Sequence, residues 1–220
     1  MKISYLGHSA FEIQTKEYKI LIDPFLVCSP NYIPEKISDI FVTHGHGDHL
    51  GSAVDISAKT GAPVTAVFEL ANYCARKGAK TIDMGLGAWR QYDWGRAILV
   101  PAFHSSSTPE GMYAGCPCGV VFEIEGKVIY HAGDTCLNSE MKVIGELYEP
   151  DFAMLPIGGK YTMDVEHAVI ASEWLKASAI IPMHYNTFDA IKANIDEFKH
   201  QIREIGKVPI VMGINESIEG

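Results

Sequence analysis

The chain has 220 residues, of which 47% are hydrophobic and 20% are charged, a balance typical of a globular domain with a buried core. The 18 Lys and Arg residues against 27 Asp and Glu residues give a net charge of −9, which disfavours nucleic acid and anionic membranes as partners. The amino terminus soon turns polar and no later apolar run could span a bilayer, so we expect neither a signal peptide nor a membrane anchor. The five cysteines, an odd number without regular spacing, favour a reducing compartment, and we predict a cytoplasmic protein.

The first predicted elements are short strands. Residues 3–6, 10–14 and 18–23 are apolar segments separated by glycine or polar residues, which predicts three strands joined by tight hairpins. A further buried strand over 39–43 runs directly into a group of histidines. We therefore expect residues 44–49 to lie in a loop at the carboxyl end of that strand.

Helix and strand patterns alternate along most of the remaining chain. A stretch rich in strand patterns covers 89–130, and the alternation returns from residue 139. Near the C-terminus an apolar stripe at helical spacing predicts a helix over 188–205. Without a linker or a repeat, we expect residues 1–220 to form one α/β (α+β) domain, with two sheets face to face and helices outside.

The strongest chemical signal is the run His44-Gly45-His46-Gly47-Asp48-His49, which holds three imidazoles and a carboxylate within six residues. The two glycines let the backbone turn sharply around one point. His44 and His46 can turn to one side of an extended segment, while Asp48 and His49 reach a second position. This mixture of nitrogen and oxygen ligands favours zinc, with iron, manganese or cobalt as alternatives.

Six residues cannot complete two coordination spheres, and further ligand types follow other predicted strands. His104 follows the strand over 97–103, Asp134 follows the strand that ends at residue 130, and His184 follows an apolar strand over 180–183. A carboxylate such as that of Asp134 can bridge two cations about 3.5–4 Å apart, with a shared water between them.

Other candidates lie near these ligands. His8 and His131 are either ligands or neighbours that orient a ligand through a hydrogen bond. Asp23 ends a buried strand and is either such an acceptor or a turn residue. Ser105 follows His104 and can contact substrate or backbone, while Lys160 either favours an anionic substrate group or is a solvated loop charge.

These motifs together resemble the metallo-β-lactamase fold superfamily, whose signature is HxHxDH followed by isolated His, Asp and His residues at later strand ends. Within it, the chain is similar to poorly characterised bacterial and archaeal metal-dependent hydrolases, which are related to ascorbate-phosphate lactonases and N-acylphosphatidylethanolamine phospholipases. The blocks that carry the resemblance lie at residues 7–9, 22–25, 42–51, 131–135, 155–159 and 182–185.

The resemblance implies a four-layer αββα sandwich of two mixed sheets with helices on both outer faces, and a homo-oligomer. It also implies a dinuclear site in which Asp134 bridges both metal ions. The remaining ligands are then His44, His46 and His104 for the first ion, and Asp48, His49 and His184 for the second.

The expected activity is that of a hydrolase with two zinc ions, or manganese or iron in their place. A metal-bridging hydroxide would attack an ester, lactone or phosphodiester bond of a small, anionic substrate, with Asp48 orienting the water or accepting its proton and Asp134 bridging the ions. Two alternatives remain open: a mononuclear iron dioxygenase or redox protein on the same fold, and a metal-binding sensor without catalysis.

Overall fold

The computed structural model describes residues 1–220, and the chain divides into two compact units. Unit one consists of Met1–Ala88, Ser105–Cys118 and Gly213–Gly220, and unit two consists of Trp89–His104 and Gly119–Met212. Each unit holds a seven-stranded mixed sheet with helices, which confirms the predicted α/β class with two mixed sheets.

The secondary structure comprises fourteen strands, six α-helices and two short 3-10 turns. In chain order the strands are β1 Lys2–Gly7, β2 Ala10–Gln14, β3 Lys19–Ile22, β4 Asp39–Phe41, β5 Val64–Val67, β6 Thr81–Met84, β7 Trp89–Tyr92, β8 Gly95–Pro101, β9 Cys118–Ile124, β10 Lys127–His131, β11 Phe152–Pro156, β12 Ala179–Met183, β13 Val208–Pro209 and β14 Ser217–Glu219. The helices are α1 Gly47–Leu50, α2 Ala53–Thr60, α3 Phe68–Arg76, α4 Glu140–Tyr148, α5 Val165–Trp174 and α6 Ile195–Glu204.

The sheet of unit one has the strand order β14-β1-β2-β3-β4-β5-β6. The first three strands form antiparallel hairpins, as predicted, whereas β3 to β6 run parallel to one another. Ile22 and Phe41, the last residues of β3 and β4, are fully buried, as expected for parallel strands that are covered on both faces. Because β3 and β4 are parallel, the segments that follow them begin at the same edge of the sheet.

The sheet of unit two has the strand order β13-β12-β11-β10-β9-β8-β7. Strands β10 to β13 run parallel, while β9 pairs antiparallel with β10 and β7 pairs antiparallel with β8. Consequently the residues after β10, β11 and β12 also share one edge.

The predicted helix over 188–205 is wrong at its start. Residues Asp189–Ile191 form a 3-10 turn, and α6 begins only at Ile195. The side chain of Asn194 accepts hydrogen bonds from the backbone N–H groups of Asp196 and Glu197, at 3.1 and 3.2 Å, and so caps the helix at this point. The helical spacing of apolar residues extends on both sides of Asn194, so it does not reveal where the helix begins. The capping side chain of Asn194 sets that boundary. No helix of the structure is both long enough and apolar enough to cross a bilayer.

Candidate metal centre

The histidine-rich run of unit one begins three residues after β4 and contains one turn of helix. The backbone N–H groups of His49 and Leu50 both donate to the carbonyl of His46, at 3.0 and 2.8 Å, and form α1. The prediction that residues 44–49 are all loop is therefore wrong in its second half. The helical turn carries Asp48 and His49, while His44 and His46 precede it in a bend of the chain.

The segment Ser105–Cys118 packs tightly against this run. A Cβ atom on Gly45 would lie 2.4 Å from the Cβ of Ala114, so only glycine fits there. The Ser106 hydroxyl accepts the N–H of Gly45 at 3.2 Å. The backbone N–H and the thiol of Cys118 both donate to the carbonyl of Thr43, at 3.0 and 3.2 Å. Burial raises the pKa of the Cys118 thiol well above its usual range, so this cysteine stays a neutral packing group.

The buried carboxylate of Asp23, directly after β3, accepts three hydrogen bonds. Its Oδ1 accepts the backbone N–H of Thr43 at 2.8 Å, and its Oδ2 accepts the Thr43 hydroxyl at 2.7 Å. The same Oδ2 lies 2.7 Å from Nδ1 of His49, and both side chains are completely buried. The structure thus places Asp23 as an orienting acceptor.

These bonds fix which nitrogen carries the proton when the two imidazoles are neutral. A carboxylate can only accept, so Nδ1 of His49 carries the proton and Nε2 keeps its lone pair. The Thr43 hydroxyl donates its single proton to Asp23 and must accept from Nδ1 of His44, which lies 3.1 Å away. His44 therefore also presents an unprotonated Nε2. The sequence did not single out Thr43 as a site residue. Its position between an apolar strand and His44 is the one feature of the sequence that could have indicated this role.

The ligand nitrogens of His44 and His46 face each other. Nε2 of His44 lies 3.0 Å from Nδ1 of His46, and the two rings meet edge to face. With a lone pair on Nε2 of His44, these two rings could provide two ligands of a metal ion.

A second group in unit one contains His8, Asp48 and His49. One potential ligand atom from each lies within 4.8 Å of the others. Nε2 of His8 is 3.2 Å from Oδ2 of Asp48, whose side chain is 31% exposed, whereas that of His8 is fully buried.

Unit two brings Asp134, His104 and His184 together. Oδ2 of Asp134 lies 3.1 Å from Nε2 of His184 and 3.5 Å from Nε2 of His104. His184 directly follows β12, with a positive φ of 53°, and Gly158 approaches its carbonyl so closely that a Cβ there would lie 2.3 Å away. Burial raises the pKa of the neighbouring Tyr185, which therefore stays protonated at neutral pH.

His131 ends β10 and has a different role from the residues around it. Its Nδ1 is 3.2 Å from the backbone N–H of Gly133 and accepts from it, so the ring braces the sharp turn that leads to Asp134. Gly133 has a φ of +61°, in the left-handed region that favours glycine. The structure therefore places His131 as a support of the turn.

The two remaining candidates are exposed. Ser105 begins the segment that packs against Gly45, and its side chain lies at the surface. Lys160 lies in the loop after β11, with its ammonium group 5.1 Å from the centre of the Tyr161 ring.

The donor atoms fit a divalent metal ion of borderline softness. The second group of unit one and the cluster of unit two each offer imidazole nitrogens and a carboxylate, and neither contains a thiol. Such a set suits zinc and also suits manganese or iron. Histidines that bind a metal ion usually make a hydrogen bond with their other ring nitrogen, which holds the ring in one tautomer.

Comparison with known proteins now identifies the family. The family model described as "Beta-lactamase superfamily domain" matches residues 2–184, which include every predicted metal ligand. The chain belongs to the β-lactamase superfamily. The predicted membership is thereby confirmed.

Relatives within this superfamily are metal-dependent hydrolases. A UPF0173 metal-dependent hydrolase from Anoxybacillus flavithermus is 44% identical, with 100% of each chain covered. Another, from Geobacillus thermodenitrificans, is 46% identical over 90% of this chain and 91% of the relative. The structure of Igni18, a metallo hydrolase from Ignicoccus hospitalis, superposes with a TM-score of 0.89 at 37% identity, covering 99% of this chain and 97% of that one. The chain is therefore a metal-dependent hydrolase of the β-lactamase superfamily.

Proposed function

We propose that this hydrolase is dinuclear and zinc-dependent, and that it cleaves an ester, lactone or phosphodiester bond of a small, anionic molecule. We propose that residues 1–220 act as one functional domain. His44, His46 and His104 would hold the first ion, Asp48, His49 and His184 the second, and Asp134 both.

The observation that carries the proposal is the tautomer control by Asp23. In the neutral rings, the bonds from Asp23 to His49 and through Thr43 to His44 place the proton on Nδ1, so that Nε2 of each buried ring keeps its lone pair. A lone pair at each of these positions is what a metal ion requires. A structural core would need no such arrangement, since buried histidines can satisfy both nitrogens with backbone groups.

The bound ions would supply an activated water at neutral pH and would polarise the substrate oxygen that develops charge. Asp48 is suited to orient that water and to accept its proton, because its carboxylate is partly exposed while Asp134 is almost fully buried. No side-chain nucleophile is needed. The exposed ammonium group of Lys160 supports a phosphate or carboxylate group on the substrate.

The decisive experiment is elemental analysis of tag-free protein purified without chelators. Two zinc or two manganese ions per chain are expected, followed by turnover of at least one compound in a panel of lactones, thioesters and phosphodiesters. One iron ion per chain with oxygen consumption would instead establish the dioxygenase or redox alternative. Two ions without turnover of any substrate, together with unchanged behaviour of an Asp48→Ala variant, would favour a sensor.

We also propose that the protein is a homo-oligomer in the cytoplasm, which binds its small-molecule substrate but neither nucleic acid nor membranes. The five free cysteines and the net charge of −9 support the compartment and the partners, and the family resemblance supports the oligomer. Light scattering coupled to gel filtration measures the oligomeric state, and a single-chain mass would refute this part.

A further inference from the structure

His8 is held in an unusual conformation between β1 and β2. It is not a glycine, yet its φ is +57°, a region that side chains with a Cβ rarely adopt. The preceding Gly7 has a φ of +100°, and a Cβ there would lie 2.3 Å from the Cβ of Cys28. Two successive left-handed residues turn the chain so that the imidazole of His8 points into the unit and is fully buried.

The surroundings of His8 fix both its backbone and its ring. The Tyr5 hydroxyl donates to the His8 carbonyl at 3.1 Å, and the Phe25 ring packs edge to face with the imidazole at 5.6 Å between centroids. The atom of this rigid ring that faces the metal-binding run is Nε2, which lies 3.2 Å from Oδ2 of Asp48.

Asp48 has the opposite character. It lies on a four-residue helical turn, and its side chain is 31% exposed. A carboxylate in this position can rotate and can be drawn to solvent. A fixed donor on Oδ2 restricts that rotation.

We propose that His8 is a positioning residue for the metal site: its Nε2–H donates to Oδ2 of Asp48 and so directs Oδ1 to the second metal ion. This inference rests on the proposed dinuclear function. In the proposed function His8 would not be required as a ligand itself, because Asp48, His49, His184 and Asp134 would give the second ion the four ligands that zinc usually takes. Its contribution is the geometry and the reduced mobility of Asp48.

A crossed pair of substitutions tests the proposal. In His8→Gln the side-chain amide nitrogen reaches roughly the place of Nε2, but the backbone tolerates a positive φ less well. In His8→Asn the backbone is favourable, since asparagine is the side chain most tolerant of this region, but the amide is too short to reach Oδ2. His8→Leu removes the donor altogether.

The readout is zinc affinity, measured by competition with a chromophoric chelator on metal-stripped protein, with circular dichroism to show that each variant is folded. We expect His8→Asn and His8→Leu to bind one of the two ions about 10- to 100-fold more weakly and the other normally. His8→Gln should stay within a few-fold of the wild type. In an Asp48→Ala background, His8→Leu should have no additional effect, because its role acts through Asp48.

Other outcomes overturn the proposal. If all three variants keep wild-type affinity for both ions, His8 does not position Asp48. If His8→Gln binds zinc as weakly as His8→Leu does, or if His8→Leu still weakens zinc binding in the Asp48→Ala background, the imidazole is itself a ligand or only fills space in the core. A wild-type protein that binds fewer than two ions would refute the proposed dinuclear function instead, and this is read before any variant is made.

Discussion

Replacing Asp23 by asparagine should impair metal binding without changing the size of the side chain. Oδ1 of Asp23 accepts the backbone N–H of Thr43, and Oδ2 accepts both the Thr43 hydroxyl and Nδ1 of His49. An amide has one oxygen only, so whichever way it is turned, its NH₂ group meets a donor. His49 can relieve this conflict by moving its proton from Nδ1 to Nε2, and it then no longer offers Nε2 to a metal ion.

The size of the effect follows from the bonds that are lost. Loss of a hydrogen-bond partner behind a metal ligand typically lowers metal affinity by about 10- to 100-fold. This corresponds to about 1.4–2.8 kcal/mol of binding free energy. A hydrogen bond to a charged acceptor contributes about 1.5–3 kcal/mol, so the two magnitudes agree. Thr43→Val should affect only His44, because it removes the hydroxyl and leaves the bond from Asp23 to His49 in place, whereas Thr43→Ser is the matched control.

Zinc binding to metal-stripped protein, followed by chelator competition, measures both ions directly and requires no substrate. The expected order of affinity is wild type and Thr43→Ser, then Thr43→Val, then Asp23→Asn, with near-native circular dichroism for all four proteins. If Asp23→Asn binds two ions as tightly as the wild type does, tautomer control by Asp23 is wrong. Equal weakening by Thr43→Ser and Thr43→Val would show that the hydroxyl is not the relay.

Three further predictions concern other residues. Asp134→Ala should lower the metal content, measured by elemental analysis, towards one ion per chain, and should reduce any hydrolytic rate by orders of magnitude. A variant that keeps the full metal content and the full rate would exclude the bridging role. Gly45→Ala places a Cβ 2.4 Å from a neighbouring Cβ and should cost about 1–3 kcal/mol in thermal or denaturant unfolding, whereas Gly47→Ala, whose nearest atom is 3.9 Å away, should cost less. A thiol reagent at pH 8 should label exposed Cys116 readily in the folded protein and buried Cys118 only on unfolding, as mass spectrometry of the labelled peptides can show.

Much of the two sheets was predictable from the sequence because most strands are short, largely apolar segments whose ends are marked by glycine or polar residues. The hairpin strands β1 to β3 and the parallel strand β12 lie within a residue or two of the predicted positions. The helix boundaries that could not be predicted depend on the hydrogen bonds of a single acceptor group each. The Asn194 side chain sets the start of α6, and the carbonyl of His46 sets α1. These hydrogen bonds leave no trace in the spacing of apolar residues along the sequence.

The candidate site was predictable to the level of residue type and strand end, but not to the level of roles. The sequence left His8, His131 and Asp23 open between ligand, neighbour and turn residue, because residue type does not say which atom faces which partner. In the structure His131 accepts a backbone N–H in its own turn, and His8 faces Asp48. Only three-dimensional contacts distinguish a ligand from a neighbouring residue in these cases. Thr43 could not be predicted as a site residue because threonine is common at strand ends in any sheet.

The same contacts distinguish the two buried carboxylates of the clusters. Asp23 meets His49 at Nδ1, and it reaches Nδ1 of His44 through the Thr43 hydroxyl. Asp134 meets His104 and His184 at Nε2. A carboxylate on Nδ1 holds a ring in place while Nε2 stays available, so it strengthens a ligand without becoming one. A carboxylate beside two Nε2 atoms would instead be able to join them as a ligand of a shared metal ion. Asp23 is therefore suited to position ligands and Asp134 to act as one, so asparagine at position 23 should weaken binding whereas alanine at position 134 should remove an ion.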